Sequence, residues 1–201
     1  MKEFIRNLWT RSILRGIHYG DRHSRFDQLY RIEDPWHMNN DAEKFRFEET
    51  NRLIRANFGP LQSLLEIGCG EGHQTSKLAE LCSNIYALDI SSRAVERAKQ
   101  RCPTANLGVG DLFSAPILKG LHRFDLVVAC EVLYYMSDVP TTLARMQQLG
   151  RSCFVTYVSD QHEHLAAPLA QMPNRQTAEF THKEVLWHAV WWSVESTPKL
   201  A

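Results

Sequence analysis

The 201-residue chain has no apolar run approaching the ~20 residues of a membrane-spanning helix. Its first residues, Met-Lys-Glu-Phe-Ile-Arg, are too broken in hydrophobicity for a secretory signal. They fit an amphipathic helix with Phe4, Ile5, Leu8 and Trp9 on one face. There is no charge excess of either sign: Lys+Arg and Asp+Glu both total 23. That balance lacks the basic surplus of a nucleic-acid binder, so no nucleic-acid partner is expected. The five cysteines are odd in number and contain no Cys-x-x-Cys pair. This excludes a paired disulfide frame and a zinc-ribbon spacing, and it suits reduced core cysteines in a cytoplasmic protein. His162 and His164 lie two residues apart, off a common helix face and without a third ligand at a recognisable spacing. No metal is expected. Internal repeats and low-complexity linkers are also missing. The length suits one domain spanning 1–201 with a full core.

What is present is organised around residues 63–72, Ser-Leu-Leu-Glu-Ile-Gly-Cys-Gly-Glu-Gly. Leu64, Leu65 and Ile67 form a short apolar run that predicts a buried parallel strand. Gly68, Gly70 and Gly72 follow on alternate positions. Such a turn adopts dihedrals closed to other residues and lets a ligand reach the backbone. The helical pattern after it places Leu78, Ala79, Leu81 and Cys82 on one side. A helix N-terminus behind a glycine turn offers unpaired amides to an electron-rich ligand.

The same plan then repeats. A second strand over 84–90 carries Asp89, about 20 residues past the first glycine, the offset at which Rossmann-like folds place an acid on ribose. Ser91 and Ser92 can cap the following helix, which leaves Asp89 for a ligand. A short strand over 106–109 leads to Gly110-Asp111-Leu112. Asp111 reads equally as a turn residue or as a ligand acceptor. Phe124-Asp125-Leu126-Val127-Val128-Ala129-Cys130 is the clearest strand, followed directly by Glu131, Tyr134 and Tyr135. Ligands of doubly wound sheets bind beyond the carboxyl ends of the strands, which puts these three residues at the site. At least one tyrosine is expected to pack under the next helix, over 139–149. A fifth strand over 152–158, a short helix within 160–172 and a hairpin over 177–181 and 185–194 complete the chain. Trp187, Trp191 and Trp192 are strong strand formers whose commoner use is to cover a sheet and its core. Residues 1–60 read as mostly helical, with a break near 19–21 and a non-helical Asp34-Pro35.

The Glu66-x-Gly68-x-Gly70-x-Gly72 pattern, with acids at 89 and 111 in order, resembles the class I S-adenosylmethionine-dependent methyltransferases over roughly 60–195. Asp34-Pro35-Trp36, Glu43-x-x-Arg46-Phe47-x-x-Thr50 and Glu131-Val132-Leu133-Tyr134-Tyr135 are similar, more narrowly, to the rhizobial nodulation protein S family of N-methyltransferases. One departure is the missing Pro-Gly-Gly turn before the fifth strand, where only Gly150 stands.

The resemblance implies an α/β fold: a doubly wound, Rossmann-like, mostly parallel seven-stranded sheet, with a terminal antiparallel hairpin and an N-terminal helical cap. The cap is 1–60 and the core 61–201. It implies S-adenosylmethionine as cofactor, held by Glu66, Gly68, Cys69, Gly70, Gly72, Asp89, Ile90, Asp111, Leu112 and Glu131, with Trp36 and Arg46 near it. The expected reaction is methyl transfer to an amine of a small molecule or amino sugar. The alternatives are an O-methyltransferase on a sugar or metabolite, or a non-catalytic cofactor-binding protein. Glu131, Tyr134 and His164 are the candidate catalytic residues. Residues 1–50, with Tyr19, Tyr30, Trp36, His37 and Arg46, are expected to cover the site, either as a lid or as a static cap.

Overall fold

The computed structural model describes residues 23–194. The expected N-terminal amphipathic helix and Tyr19 lie outside that range. In chain order the elements are α1 (His23–Leu29), α2 (Asp41–Phe58), β1 (Leu61–Ile67), α3 (His73–Leu78), β2 (Cys82–Asp89), α4 (Ser92–Arg101) and β3 (Asn106–Val109). They continue with β4 (Phe124–Cys130), α5 (Val139–Leu149), β5 (Gly150–Val158), α6 (His162–Ala170), β6 (Gln176–His182) and β7 (Val185–Ser193). The seven strands form one sheet in the order β3-β2-β1-β4-β5-β7-β6. The five strands from β3 to β5 are parallel, and β7 is antiparallel to both β5 and β6. The expected fold is the observed one.

Side chains on a strand alternate between faces, and the core divides accordingly. Leu65, Ile67, Val127, Ala129, Cys153, Val155 and Trp192 point to one face, against Leu143 and Met146 of α5 and Leu165 and Leu169 of α6. Leu64, Leu126, Val128, Phe154, Trp187 and Trp191 point to the other, against Leu53 and Ile54 of α2 and Leu78 of α3. Helix α4 adds Ala98 to a small cluster with Cys69 and Ala87. The near-continuous burial of β1 and β4 follows from helices on both faces of a parallel sheet.

Several boundaries differ from the sequence reading. The helix after the glycine turn stops at Leu78, and a tight turn over Ala79–Leu81 follows. Cys82 is therefore the first residue of β2, paired with Leu61, and not a helix residue. Strands β1 and β5 begin two or more residues earlier than periodicity alone suggests. In β1 the reason is Asp125, whose carboxylate accepts from the backbone N–H groups of Gln62 (2.8 Å) and Ser63 (3.0 Å) and so ties the start of β1 to β4.

The missing turn before β5 is also explained. Helix α5 passes into β5 with no intervening residue, at Gly150. A Cβ there would lie 2.7 Å from Val127 Cγ2 in the buried core. Arg123 donates to the carbonyls of Gln147 (3.0 Å) and Gly150, which closes the end of the helix. Gly150→Ala is expected to lower stability by about 1–3 kcal/mol, the usual cost of overpacking a core. Chemical denaturation checks this, and an unchanged midpoint would show that Val127 yields freely.

Candidate active site

Parallel pairing brings the C-terminal ends of β1, β2 and β4 level. Ile67 pairs with both Leu88 and Ala129. The chain must turn sharply where β1 ends, and the Leu88 carbonyl takes both turn amides, Gly68 N at 2.8 Å and Cys69 N at 2.9 Å. Gly68 has φ +74, and a Cβ on it would sit 2.5 Å from Val132 Cγ2. Gly70 has φ +52, and a Cβ there would sit 2.9 Å from the Tyr30 hydroxyl. At these two positions glycine is required by backbone strain and by space together.

Asp89 fixes the middle of the turn. Its Oδ2 accepts from Gly70 N (2.9 Å) and its Oδ1 from Ser91 N (2.8 Å). Ser91 is the N-cap of α4, as expected, and accepts from Ala94 N. Asp89 is thus engaged by backbone and lines the cavity as well. Burial pushes its carboxyl up to about 6, against the lowering effect of the Ser91 and Gly70 amides. Glu66, one strand residue before the turn, is buried and accepts from the Thr75 hydroxyl at 2.5 Å. Burial pushes it up to about 7. Asp111 has the turn role, and its place allows the other. Its Oδ1 accepts from the amides of Phe113 and Ser114 as a turn residue, and Asp111 lines the cavity.

The cavity above these strand ends has a volume of about 660 Å³. Every residue expected to hold a cofactor lines it except Gly72, which caps α3 from behind and faces Ala98 of α4. Trp36 and Arg46 line it too. Arg46 is almost fully buried, donating to Glu43 Oε2 (2.8 Å from Nε) and Gln74 Oε1 (2.6 Å). It therefore links α2 to α3 at the cavity wall.

Glu131 follows β4 with φ +55, a conformation strained for any residue but glycine. It is held there by its amide, which donates to Thr156 O at 2.9 Å, and by its Oε2, which accepts from Val158 N at 3.0 Å and from the Tyr134 hydroxyl at 3.3 Å. Its Oε1 is buried and has no hydrogen-bond partner. Burial raises its carboxyl above the ordinary glutamate value, with the Arg46 charge opposing.

Leu133 is buried in the core cluster with Val139, Leu143 and Met146 of α5, and Tyr134 packs against that cluster as expected, while both Tyr134 and Tyr135 line the cavity. Their rings lie 4.6 Å apart, and Tyr135 meets Phe26 at 5.5 Å and Trp36 at 5.7 Å. One expectation needs correction here. His164, expected as a catalytic candidate, does not line the cavity. Leu165 and Leu169 of the same helix are buried in the core cluster with Leu143 and Met146 of α5.

The sequence reading gave no site role to Glu43, Glu71, His73 or Gln74, all of which line the cavity. Glu71 stands between two glycines of the turn, and that position was the available signal. Trp187 lines the cavity while also buried in the core. Tyr30 accepts from Trp36 Nε1 at 3.0 Å and holds the Asp34–Trp36 stretch over Gly70.

A family model described as a methyltransferase domain matches residues 65–152, a little under half of the chain. The chain is similar to nodulation protein S. The Sinorhizobium fredii protein is 39% identical over 114 residues, 53% of this chain and 50% of the relative. The Bradyrhizobium diazoefficiens protein is 30% identical over 130 residues, 64% of this chain and 62% of the relative. The chain thus spans half to under two thirds of the curated relatives it matches. In fold it is similar to the N-methyltransferase NodS of Bradyrhizobium japonicum WM9, solved with S-adenosyl-L-homocysteine. The TM-score is 0.72 at 23% identity, covering 85% of this chain and 98% of that one. Among the described residues no helix is long and apolar enough to cross a membrane.

Gly70→Ala is expected to cost about 1–2 kcal/mol for its left-handed backbone and to push the Tyr30 hydroxyl off the turn. Affinity for S-adenosylhomocysteine should fall in a chain that remains folded. Calorimetry and thermal melting check this together, and wild-type values in both would reduce the turn to a connector.

Proposed function

We propose that this chain transfers a methyl group from S-adenosylmethionine to an amine of a small molecule, with amino sugars in the candidate range. One observation carries the choice of acceptor. A buried carboxylate oxygen, Glu131 Oε1, has no hydrogen-bond partner, on a strained residue at the rim of the cofactor cavity. An acceptor N–H satisfies such an oxygen, and a positively charged amine does so most strongly.

The residues fit the cofactor. The cavity lies within the ~300–1,000 Å³ range of small-molecule sites. Asp89 accepts one backbone amide on each carboxylate oxygen, which leaves a lone pair on each for the two ribose hydroxyls. Gly70 presents no Cβ to the ligand. When bound, S-adenosylmethionine supplies an electrophilic methyl on its sulfonium. The protein's part is orientation and exclusion of water. Glu131 accepts from the acceptor nitrogen and aims its lone pair. Phe26, Trp36, Tyr134 and Tyr135 wall the site against solvent. A neutral amine needs no strong base, only a place for its proton to leave.

Product analysis after incubation with methyl-labelled cofactor and a panel of amines and alcohols tests the reading. Label on nitrogen is the expected result. Label on oxygen alone, or no transfer, overturns the amine assignment. Glu131→Gln keeps the shape and removes the charge. The loss of a charge-assisted hydrogen bond, ~1.5–3 kcal/mol, should lower kcat/KM for the amine roughly 10- to 100-fold while cofactor affinity holds.

The raised Asp89 carboxyl gives a pH dependence whose sign differs between binding and folding. Only the ionised form accepts from both ribose hydroxyls, so cofactor affinity should fall as pH drops through about 6. The folded chain binds that proton more tightly than the unfolded one. Ligand-free stability should therefore rise as pH falls from about 6 towards the ordinary aspartate value near 3.8. Glu66 titrates nearby, so Asp89→Asn is the comparison that isolates the effect. A binding profile in Asp89→Asn that still falls through pH 6 would sink the ribose assignment.

A further inference from the structure

Above the glycine turn, three side chains from two parts of the chain converge. Asp34 belongs to the segment before α2, Glu71 to the turn itself, and His73 is the first residue of α3. One ligand atom from each lies within 4.8 Å of the others. His73 Nε2 is 3.8 Å from Glu71 Oε2 and 4.0 Å from Asp34 Oδ1, beyond hydrogen-bond length from both. The His73 side chain is only 8% exposed, and Nε2 is buried with no hydrogen-bond partner. A buried ring nitrogen aimed between two carboxylates and bonded to neither is costly unless a positive centre completes the group.

The carboxylates are fixed in place by other contacts. Asp34 has φ +47, its Oδ1 accepts from Met38 N at 2.7 Å, and its amide donates to both Glu71 oxygens at 3.1 and 2.9 Å. Glu71 is also ion-paired with Arg97. Among the described residues, Arg97 is the guanidinium that pairs with a carboxylate of this group, and Arg101 is held on the Glu71 carbonyl instead.

We propose that Asp34, Glu71 and His73 form a site for a divalent transition cation. One imidazole with two carboxylates is a mixed nitrogen and oxygen set, which suits Zn²⁺ or Co²⁺. Ca²⁺ and Mg²⁺ favour oxygen alone. Bonds of about 2.0–2.2 Å in a tetrahedral site set neighbouring ligands roughly 3.3–3.5 Å apart. From 3.8 and 4.0 Å at His73 and at most 4.8 Å across the group, that spacing is reached by side-chain movements of up to roughly 0.7 Å at each residue. All three residues line the cavity, so a fourth position faces it. A bound cation would staple the Asp34 segment to the glycine turn. The site stands independently of the methyl-transfer reading.

The test uses the untagged chain, cleared of metal with a chelator and titrated with Zn²⁺ by calorimetry and with Co²⁺ by visible absorption. Saturation at a single equivalent, tetrahedral Co²⁺ bands and a higher melting temperature are expected. His73→Gln and Asp34→Asn should each weaken binding about tenfold or more, whereas His122→Ala, at an exposed position before β4, should leave it unchanged. If one variant fails to fold by circular dichroism, the other decides. The absence of saturable binding, or wild-type affinity in the folded variants, overturns the site. So does a loss of binding confined to His122→Ala.

Discussion

The carboxylate of Asp89 holds the top of the molecule together. It joins the end of β2 to the glycine turn through Gly70 N and to the start of α4 through Ser91 N. Leu88, its neighbour, takes the amides of Gly68 and Cys69. The turn after β1 is therefore shaped by β2, and the parallel pairing of the two strands sets where it lies. Burying the carboxylate has a cost, visible in its raised proton affinity, and the two amides offset part of it. Everything above follows from that placement. Tyr30 rests over Gly70, Glu71 meets Asp34, and His73 opens α3.

On the other side of the cavity, strain takes the place of a glycine. Glu131 occupies a left-handed conformation because β4 and β5 over-determine it, through Thr156 O and Val158 N. Such strain is expected where a side chain must be aimed. The charges around it are uneven. Arg46 is the cation whose field reaches Glu43, Glu66 and Glu131. Among the described residues one buried guanidinium faces three carboxyls here, two of them raised by burial. The open Glu131 oxygen favours an acceptor that brings N–H donors.

The sheet was legible because its signals are local. Short apolar runs, the glycine spacing and the offset of Asp89 each reside in a few consecutive residues. What the sequence hid depends on distance in the fold. The helix after the turn was read as running through Cys82, yet pairing of Cys82 with Leu61 outweighed helical periodicity. His164 looked suitable as a base by residue type, but it does not line the cavity. Leu133 joined the core beside Tyr134, a packing role the sequence reading had given to a tyrosine alone. Glu71 and His73 are 37 and 39 residues from Asp34 in sequence, and no short motif joins them.

The cover over the cavity consists of two unlike pieces. Helix α2 is part of the core, with Leu53 and Ile54 buried against the sheet. The stretch from α1 to residue 40 is attached by polar bonds and by the Phe26 and Trp36 rings against Tyr135. Asp27 accepts from Ser91 (2.9 Å) and pairs with Arg93, Ile32 O accepts from Arg97, and Asp34 N donates to Glu71. Leu29 and Tyr30 are its buried apolar anchors. Net hydrogen bonds contribute about 0.5–1.5 kcal/mol each, and exposed ion pairs less. Phe26, Tyr30 and Trp36, which line the cavity, all belong to this stretch, so the contacts that hold the stretch also hold that wall of the cavity.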